Sequence, residues 1–415
     1  MKSKKRVIDV KRYSQAISKC VLVAFVFTLL SGCADYREIN ELSFVLGIAL
    51  DKGENSSYKA TLQVVNPSNV STATSSSGGP SIINFEGEGK TPGEAIWHSF
   101  KKTSRYVSFP HLEVLVISEE LAKEGILNIL EVFERDFQLR LSTTVLLSHN
   151  TSAASILKVL TPLNKITSEA LVTNVENIQK VVGTNSRLTI SKVIQYTKNA
   201  EEDITISTVT LKRKSKKMSE VANIERTDPI KPEIDGTAFF KEDRWVGWKG
   251  GQSTRALVIA YNEGEVMYIT APFNEDEFIT LRLLDMKSKR YAKIKNGKAQ
   301  LTMDVKGNAT ISEIIGPYEL ANNEDLKPLE KVIEKKLEEE IQQMFKFSQK
   351  LGVDSFGYGE QLAIQHPAQW SKFKDSWRSI YKNAETNVRV DISIKTEGAR
   401  KNSIKFYERG SGHDN

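Results

Sequence analysis

Cys33 is the residue whose sequence neighbours indicate a particular chemistry most clearly. It ends the stretch Leu30-Ser31-Gly32-Cys33. A cysteine that follows two small residues, with an apolar residue at the third position back, matches the lipobox of bacterial lipoproteins. In that chemistry the thiol is alkylated with diacylglycerol, and cleavage after Gly32 leaves Cys33 as an acylated N-terminus. We therefore predict an N-acyl, S-diacylglycerol cysteine that carries chains such as palmitate and anchors the protein stably in membrane lipid. The alternative is an ordinary signal peptide followed by an unrelated cysteine.

The segment before Cys33 has the build of a secretory signal peptide. Residues 1–32 contain seven basic residues and one acidic residue, and their apolar run, residues 20–30, is 11 residues long. A transmembrane helix needs about 20 apolar residues, so this run is too short to remain as a membrane span. We predict that residues 1–32 are removed and that residues 33–41 form a short lipidated tether.

The excess positive charge of the chain lies in that segment. The whole sequence has a formal net charge of +6, whereas residues 33–415 contain 51 basic and 51 acidic residues. A neutral mature chain lacks the basic excess typical of nucleic-acid-binding proteins, so no nucleic acid is expected as a partner. The other cysteine, Cys20, leaves with the signal peptide. The mature chain therefore has no disulfide, no cysteine nucleophile and no cysteine metal site.

The remaining side chains with catalytic potential form no recognisable motif. The histidines are far apart, and the sequence contains neither H-E-x-x-H nor G-x-S-x-G, so we expect no metal and no cofactor. Carboxylates at residues 119–120 and 338–340 are predicted to lie on solvated faces, without the burial that general acid catalysis needs. These observations argue against an enzyme. The histidines are His98, His111, His149, His366 and His413.

Two glycine-containing stretches allow both a binding and a packing interpretation. Gly87-Glu-Gly-Lys-Thr91 resembles a phosphate loop, but a P-loop has a further glycine at the position occupied by Asn84. We expect a turn there that leads into a helix capped by Thr91. Trp245-Val-Gly-Trp-Lys-Gly-Gly251 is either an aromatic ligand platform or a hairpin whose glycines adopt positive φ.

The first half of the mature chain alternates between strands and helices, which predicts mixed α/β layers. Helices are expected to start after Thr91, over residues 119–136, and over residues 167–182 with Gly183 as the stop. Strands are predicted over residues 44–50, 58–64, 111–118 and 141–148.

The composition changes near residues 212–235, where a basic cluster (212–217) is followed by Pro229 and Pro232. The cluster either contacts anionic lipid or forms a solvated turn. We predict a linker here. The predicted regions are an N-terminal α/β region of one or two domains (42–215), the linker (216–235), a C-terminal α/β domain (236–400) and a polar tail (401–415).

The second half contains strand-like segments, then one long helix over residues 326–351 with an apolar stripe at three- and four-residue spacing, which Gly352 ends. A short helix over 370–381 and a last strand over 388–394 follow. The predicted fold class is a multidomain α+β protein with antiparallel or mixed sheets and packed helices. The earlier strands are expected at 236–240, 244–248, 265–271, 278–286, 298–305 and 309–315.

Four stretches, in order behind the lipobox, are similar to the Ger(x)C family, the C subunits of spore germinant receptors. They follow one another across most of the mature chain. The first two stretches are Asp35-Tyr-Arg-Glu-Ile-Asn-Glu-Leu-Ser-Phe-Val-Leu-Gly-Ile-Ala-Leu-Asp51 and His111-Leu-Glu-Val-Leu-Val-Ile-Ser-Glu-Glu-Leu-Ala122, the latter followed by Gly125-Ile126 and Arg135-Asp136. The other two are Asp235-Gly-Thr-Ala-Phe-Phe240, with Val246-Gly-Trp248 and Thr254-Arg255, and Asp354-Ser-Phe-Gly-Tyr-Gly-Glu360, with Pro367 and Trp370.

This resemblance implies a lipoprotein on the outer face of the inner spore membrane that works with integral-membrane A and B subunits and responds to nutrients. It implies a multidomain mixed α/β fold without a recognised catalytic site, and only Cys33 carries over as a residue with defined chemistry. The sequence departs from the family pattern at Gly250-Gly-Gln-Ser253, at residues 361–365 and at residues 381–385. These departures put inherited contact surfaces in doubt.

The sequence therefore predicts a non-enzymatic, lipid-anchored C subunit of a germinant receptor. The alternative is a lipid-anchored protein that captures a small ligand and delivers it to a membrane transporter. Such binders have two similar lobes, and the two halves of this sequence look unlike.

Overall fold

The computed structural model describes residues 17–19, 21, 41–54, 58–65, 81–136, 138–198, 201–213, 215–316 and 323–395. Cys33 with its lipobox, almost all of the predicted signal peptide and tether, and the predicted tail lie outside these residues. The described part contains two β-sheets, which belong to the same compact unit of the chain.

Sheet 1 has ten strands and is built around a parallel centre. Its strand order is β10-β9-β8-β6-β5-β1-β2-β3, with β4 beside β1 and β7 beside β6. Strands β1, β5, β6 and β8 run parallel, whereas the neighbours toward both edges pair antiparallel. The strands are β1 Leu42–Asp51, β2 Tyr58–Val65, β3 Ile82–Gly89, β4 Tyr106–Ser108, β5 Val114–Ser118, β6 Thr144–Ser148, β7 Leu188–Thr189, β8 Thr205–Thr210, β9 Glu233–Lys241 and β10 Arg244–Lys249.

Helices cover both faces of the parallel centre of sheet 1. Every residue of β5 and β6 is buried, as expected for parallel strands packed on both faces. Two separate apolar clusters, one on each side, contain alternating residues of β5 and β6. The helices are α1 Pro92–Ser99, α2 Glu119–Glu124, α3 Leu127–Arg135, α4 Ala153–Leu157, α5 Thr167–Asn177 and α6 Ile190–Lys198.

Sheet 2 has four strands in the order β11-β12-β13-β14 and packs against one long helix. Its first three strands are antiparallel, and β14 runs parallel to β13. The elements are α7 Arg255–Ala260, β11 Val266–Asn274, β12 Glu277–Lys295, β13 Lys298–Ile315, α8 Leu326–Leu351, α9 Tyr358–Gln365, α10 Pro367–Phe373, α11 Trp377–Lys382 and β14 Glu385–Ile394.

Helix α8 has the bounds that the sequence predicts. Leu329, Ile333 and Leu337 are buried on its apolar stripe, and Gly352 ends it in the left-handed conformation with φ 69°. Glycine is favoured there because a Cβ atom strains that conformation. The long helix thus supplies one wall of the core of sheet 2.

Side chains from the helices bond to the outer edge of β14 and to the end of β12 that β11 does not cover. Glu338, Glu334 and Glu330 of α8 accept hydrogen bonds from the backbone N–H groups of Val390, Ile392 and Ile394 in β14, at 3.2, 2.9 and 2.8 Å. The match follows from geometry: four residues of helix rise about 6.0 Å and two residues of strand about 6.6 Å. On β12, the N–H groups of Ala292 and Ile294 donate to the side-chain oxygens of Gln365 and Gln369.

The structure confirms the predicted mixed α+β class and differs from several predicted elements. The helix expected over residues 119–136 is two helices, because Gly125 adopts φ 131° and interrupts it. The helix expected over residues 370–381 is likewise two short helices, α10 and α11, with a 3-10 turn between them. Strands β12 and β13 are longer than the predicted segments, 19 and 18 residues.

The residues around the predicted linker lie within sheet 1. Strands β8 and β9, on either side of residues 211–232, are antiparallel neighbours, and β10 pairs with β9. The predicted start of the C-terminal domain, residue 236, therefore falls inside a strand of sheet 1. The segment between β8 and β9 is tied down by Asn223, whose side chain bonds the carbonyl groups of Leu160 and Ile230.

Candidate functional site

The histidines within the described residues occupy packing or local bonding positions. His98 Nδ1 lies 2.6 Å from the carbonyl oxygen of Glu88, and His111 packs edge-on against Phe44. His366 immediately precedes α10. Among the residues described, no group of three or more His, Cys, Asp or Glu side chains is arranged to hold a metal ion.

The Trp245–Gly251 stretch packs as a hairpin. Trp245 is buried, and the Trp248 indole N–H donates to Thr208 Oγ1 at 2.9 Å. The His149 ring stacks on Trp248 with 4.4 Å between ring centroids. The expectation that the glycines adopt positive φ is confirmed for Gly251, with φ 76°, and is wrong for Gly247. A Cβ atom on Gly247 would lie 2.6 Å from a methyl group of Leu351, so this glycine is needed for close packing.

Gly87 and Gly89 lie in strand β3, and not in the turn that the sequence suggested. A Cβ atom on Gly87 would lie 2.3 Å from the carbonyl oxygen of Ala95, so these glycines let α1 approach the strand closely. The prediction for the helix is confirmed: Thr91 caps it by accepting the Glu94 N–H at 3.1 Å, with Pro92 as the first residue.

The prediction that residues 119–120 and 338–340 carry solvated carboxylates is wrong for three of them. The Glu119 carboxylate is half-buried against His149 at 2.8 Å, and Glu338 accepts an N–H of β14. Glu340 is 8% exposed and lies 3.2 Å from the buried guanidinium of Arg255. The partners are 30 to 85 residues away in the sequence, so no local pattern reveals them.

The most extensively bonded polar site in the described part lies where the segment before β8 meets the segment after α8. Asp203 and Asp354 are joined by two hydrogen bonds: the Asp354 N–H donates to the side-chain Oδ2 of Asp203 at 2.8 Å, and the Asp203 N–H donates to the backbone carbonyl oxygen of Asp354 at 3.3 Å. Arg378 of α11 donates to Asp203 Oδ1 at 2.7 Å. We call Glu202, Asp203 and Asp354 the acidic junction.

Asp354 organises the turn that leads into α9. The residue is 1% exposed. Its carboxylate accepts hydrogen bonds from the backbone N–H groups of Tyr358 at 3.1 Å and Gly359 at 2.7 Å, and from the Trp377 indole N–H at 2.9 Å. A carboxylate is favourable at a helix N-terminus, where backbone N–H groups have no helical partner. Burial nevertheless raises the pKa of Asp354 to about 6, against the lowering by these three donors.

The glycines of the Asp354-Ser-Phe-Gly-Tyr-Gly359 stretch are required by this packing. Gly357 adopts φ 64°, and its backbone faces Arg290 and Glu202. A Cβ atom on Gly359 would lie 2.3 Å from the carbonyl oxygen of Glu201 and 2.9 Å from Trp377 Nε1. Both segments can approach each other only because these positions have no side chain.

Glu202 completes the acidic junction beside a cleft. Tyr261 donates its hydroxyl hydrogen to the Glu202 carboxylate, and the Arg290 guanidinium lies over the Tyr261 ring, 4.7 Å from its centroid. Burial, together with the charges of Asp354 and Glu360, raises the pKa of Glu202 to about 7, against the lowering by the Tyr261 hydrogen bond. The adjoining cleft has a volume of about 390 Å³, and its lining includes Tyr196, Glu202, Asp203, Trp377 and Arg378.

The hydrogen bonds of the acidic junction connect segments that are distant in the sequence, and they use the carboxylates of Asp203 and Asp354. The carboxylate of Asp354 is fully engaged with three N–H donors, and that of Asp203 bonds Arg378 and a backbone amide. Glu202 has a raised pKa and borders the cleft, so its proton can respond to pH. The sequence does not predict the junction because Asp203 and Asp354 are 151 residues apart. The available signals are the acidic run Glu201-Glu-Asp203 and the Asp354–Glu360 stretch, and nothing local links the two.

No helix in the described residues is both long enough and apolar enough to cross a membrane.

Comparisons with known proteins give a consistent result. Residues 35–211 match a family described as the spore germination protein N-terminal domain, and residues 235–398 match one described as spore germination B3/GerAC like, C-terminal. Spore germination protein KC of Bacillus subtilis (strain 168) is 28% identical over 400 residues, covering 94% of this chain and 98% of that protein. Spore germination protein B3 of the same organism is 29% identical over 392 residues, covering 91% and 96%.

A solved structure shares the fold. The crystal structure of the GerBC protein superposes with a TM-score of 0.54 at 22% identity, covering 88% of this chain and 100% of that one. Together with the two family matches, which lie in order along the sequence, this likeness confirms the resemblance drawn from the sequence. The chain belongs to the Ger(x)C family of spore germination proteins.

Proposed function

We propose that this protein is a non-enzymatic, lipid-anchored C subunit of a spore germinant receptor, which assembles with integral-membrane A and B subunits on the outer face of the inner spore membrane. The observation that carries the proposal is the position of Cys33. The family match begins at residue 35, directly behind a lipobox cysteine, and continues to residue 398 in two parts. The region that matches the family therefore starts two residues after the predicted site of lipid attachment.

The proposed mechanism is assembly at a surface. Acyl chains on Cys33 confine the folded domains to the membrane plane, which raises their effective concentration for neighbouring subunits. The described architecture is compatible with that role. The two sheets differ in strand number and order, unlike the two similar lobes that a ligand-delivering lipoprotein would have.

The test compares the two cysteines of the sequence. A Cys33→Ala variant should incorporate no radiolabelled palmitate, and no mature lipoprotein should be found in the spore membrane fraction. Spores that carry this variant should not respond to nutrients through this receptor. Cys20→Ala, within the predicted signal peptide, is the matched control and should behave as the parent protein does. Normal lipid labelling and germination with Cys33→Ala would contradict the anchoring proposal.

Assembly is tested separately. The full-length lipidated protein should co-purify with A- and B-type subunits from spore inner membrane solubilised in mild detergent. Recovery of the protein from that fraction without either subunit would contradict the receptor assignment while leaving the lipid anchor intact.

A further inference from the structure

The outer face of sheet 2 carries an unusual row of lysines. Strands β12 and β13 form a long hairpin, and β11 pairs only with residues 277–284 of β12. Beyond that point the side chains of β12 alternate, with Ala292 packed in the core and its neighbours in solvent. The outward positions of this half of β12 are exposed, and they are Lys287, Lys289, Tyr291, Lys293 and Lys295.

The partner strand adds positive charge at both ends of this row and places one acidic residue, Asp304, opposite Lys289. In the hairpin, Lys287 is the Cα partner of Lys306, and Lys295 is the Cα partner of Lys298. Like charges directly opposite each other in a sheet are destabilising, so the fold tolerates a repulsion that it could avoid with any neutral residue. We call Lys287, Lys289, Lys293, Lys295 and Lys298 the lysine face.

Nearby carboxylates do not neutralise the lysine face. Asp304 is held by Arg389 through two hydrogen bonds, at 2.7 and 2.9 Å, and Asp391 pairs with Lys306 at 2.8 Å. Within the described residues, no ion pair involves any of the five lysines of the lysine face. Its charge is therefore available to an external anion.

The other basic cluster of the sequence differs in this respect. Lys212 pairs with Glu233 at 2.5 Å, and Arg213 pairs with Asp228 at 2.8 Å. Two cations of that cluster are thus neutralised within the protein, which supports the solvated-turn interpretation. Since residues 33–415 carry equal numbers of basic and acidic residues, the lysine face is a local segregation of charge on a neutral protein.

We propose that the lysine face binds the anionic phosphate headgroups of a membrane surface and orients the protein on it. Alternate residues of a strand are about 6.6 Å apart and share one face of the sheet, so the row from Lys287 to Lys295 extends about 26 Å along that face. Tyr291, 44% exposed in the middle of the row, combines an apolar ring with a polar hydroxyl and suits the headgroup layer.

The inference rests on the membrane attachment in the proposed function and adds an orientation to it. An acyl anchor at Cys33 restrains one end of the chain and leaves the rest free to turn. A basic surface near an anionic leaflet gains binding energy at each lysine, on the order of a fivefold increase in affinity per residue. This attraction acts within a Debye length of about 10 Å at 0.1 M salt, so it selects one side of the protein.

The test measures lysine protection on vesicles. Full-length protein purified from membranes is reconstituted into vesicles of phosphatidylcholine alone, or of phosphatidylcholine with about one third phosphatidylglycerol, and exposed lysines are acetylated and quantified by mass spectrometry. Lys289, Lys293 and Lys295 should react at least about fivefold more slowly on the anionic vesicles, and the protection should disappear in 1 M salt. Lys331, Lys335 and Lys346, exposed on α8, are the internal control and should react equally on both.

A variant provides the second measurement. The triple substitution Lys289→Gln, Lys293→Gln and Lys295→Gln alters exposed side chains only and should keep the fold. It should remove the difference in Lys287 and Lys298 acetylation between the two vesicle types, whereas Lys331→Gln with Lys335→Gln and Lys346→Gln should preserve it.

The outcomes separate this inference from the proposed function. Flotation with both vesicle types but equal acetylation of the lysine face would overturn the inference and leave the anchor standing; the face would then suit an acidic protein partner. Flotation with anionic vesicles alone would support the lysine face and contradict the lipid anchor. Failure to float with either would overturn both.

Discussion

Among the residues that the structure describes, Arg255 is the largest fully buried side chain, with 1% of the residue exposed. One of its nitrogens lies 3.2 Å from Glu340 Oε2, and in the described part its Nε has no hydrogen-bond partner. A buried guanidinium is costly to desolvate, so its single carboxylate partner has a large effect on stability. The Thr254-Arg255 pair that contributes to the family resemblance is thus a feature of the core beneath α8.

Replacing Glu340 by alanine should therefore leave an uncompensated buried charge and lower the free energy of unfolding by about 3–5 kcal/mol. Urea unfolding monitored by tryptophan fluorescence measures this. Glu339→Ala, one residue earlier and exposed, is the matched control and should change stability by less than about 0.5 kcal/mol. Equal effects of the two substitutions would show that Arg255 does not depend on Glu340.

Glu202 makes stability depend on pH in a defined direction. Its pKa of about 7 in the folded protein lies above the ordinary value of 4.5, so the folded state holds the proton more tightly than the unfolded state. The resulting stabilisation is fully present below about pH 4.5 and is lost as the pH rises through 7. Glu202→Gln cannot ionise and still offers Tyr261 an acceptor oxygen.

The difference in unfolding free energy between Glu202→Gln and the parent protein should accordingly increase from pH 4.5 to pH 8, by up to about 3 kcal/mol in favour of the variant. Urea unfolding at several pH values measures the difference, in which titrating groups that do not interact with Glu202 cancel. Glu201→Gln is the neighbouring control. A difference that stays constant across this range would exclude Glu202 as the titrating group.

At the scale of elements, the glycines of the segment after α8 do two separate things. Gly352 ends the helix with positive φ, and a Cβ there would meet no atom within 4 Å. Gly359 has an ordinary φ, but a Cβ there would collide with the backbone of Glu201. One glycine is needed for conformation and the other for contact.

The two glycines should therefore respond differently to the same substitution. Gly352→Ala should cost about 1 kcal/mol, the strain of a left-handed alanine, whereas Gly359→Ala should cost about 3 kcal/mol because the junction must separate. The free energy of unfolding of each variant, measured by both thermal and chemical unfolding, tests these two values. If Gly352→Ala were the more destabilising of the two, the close contact between residues 201 and 359 would be contradicted.

Elements with a continuous local pattern were predictable, and those with a break in the pattern were not. The apolar stripe and Gly352 define α8 completely. In β12, by contrast, the register shifts between Leu284 and Lys287, so the alternation changes phase there and the sequence pattern predicts that the strand ends at Met286. Gly307, opposite, makes room for the Met286 sulfur and divides the pattern of β13 in the same way. The acidic junction has no local pattern that links its two halves, since Asp203 and Asp354 are 151 residues apart and are joined only by folding.

At the scale of the whole molecule, the acidic junction joins residues of the N-terminal family match to residues of the C-terminal one. Asp203 belongs to the first matched region, and Asp354 and Arg378 belong to the second. Strands β9 and β10 make a further connection, because they follow residue 232 in the chain and yet extend sheet 1. The proposed division into an N-terminal region and a C-terminal domain therefore crosses a shared sheet and a shared polar site.

Removing Arg378 should loosen this connection without unfolding either sheet. Arg378→Met keeps the aliphatic stem and leaves Asp203 without its cation, at a cost of about 1–3 kcal/mol. Hydrogen exchange followed by mass spectrometry should show faster exchange at residues 201–204 and 354–360, with β5 and β13 unchanged. Arg389→Met, which removes an exposed pair on β14, is the control. Uniformly faster exchange in all strands would indicate that the junction has no separate role.

The glutamates and glutamines that accept N–H groups of β14 and β12 affect how copies of the protein interact with one another. In the proposed membrane-anchored state, copies of the protein are at high local density. An unpaired edge strand of one copy can form hydrogen bonds with an edge strand of another, which leads to aggregation. Here, a strand arriving beside β14 would have to displace the carboxylates of Glu330, Glu334 and Glu338, and one arriving beside β12 the amides of Gln365 and Gln369. On the proposed membrane surface, these side chains therefore disfavour strand pairing between copies along β14 and along the end of β12 that β11 does not cover.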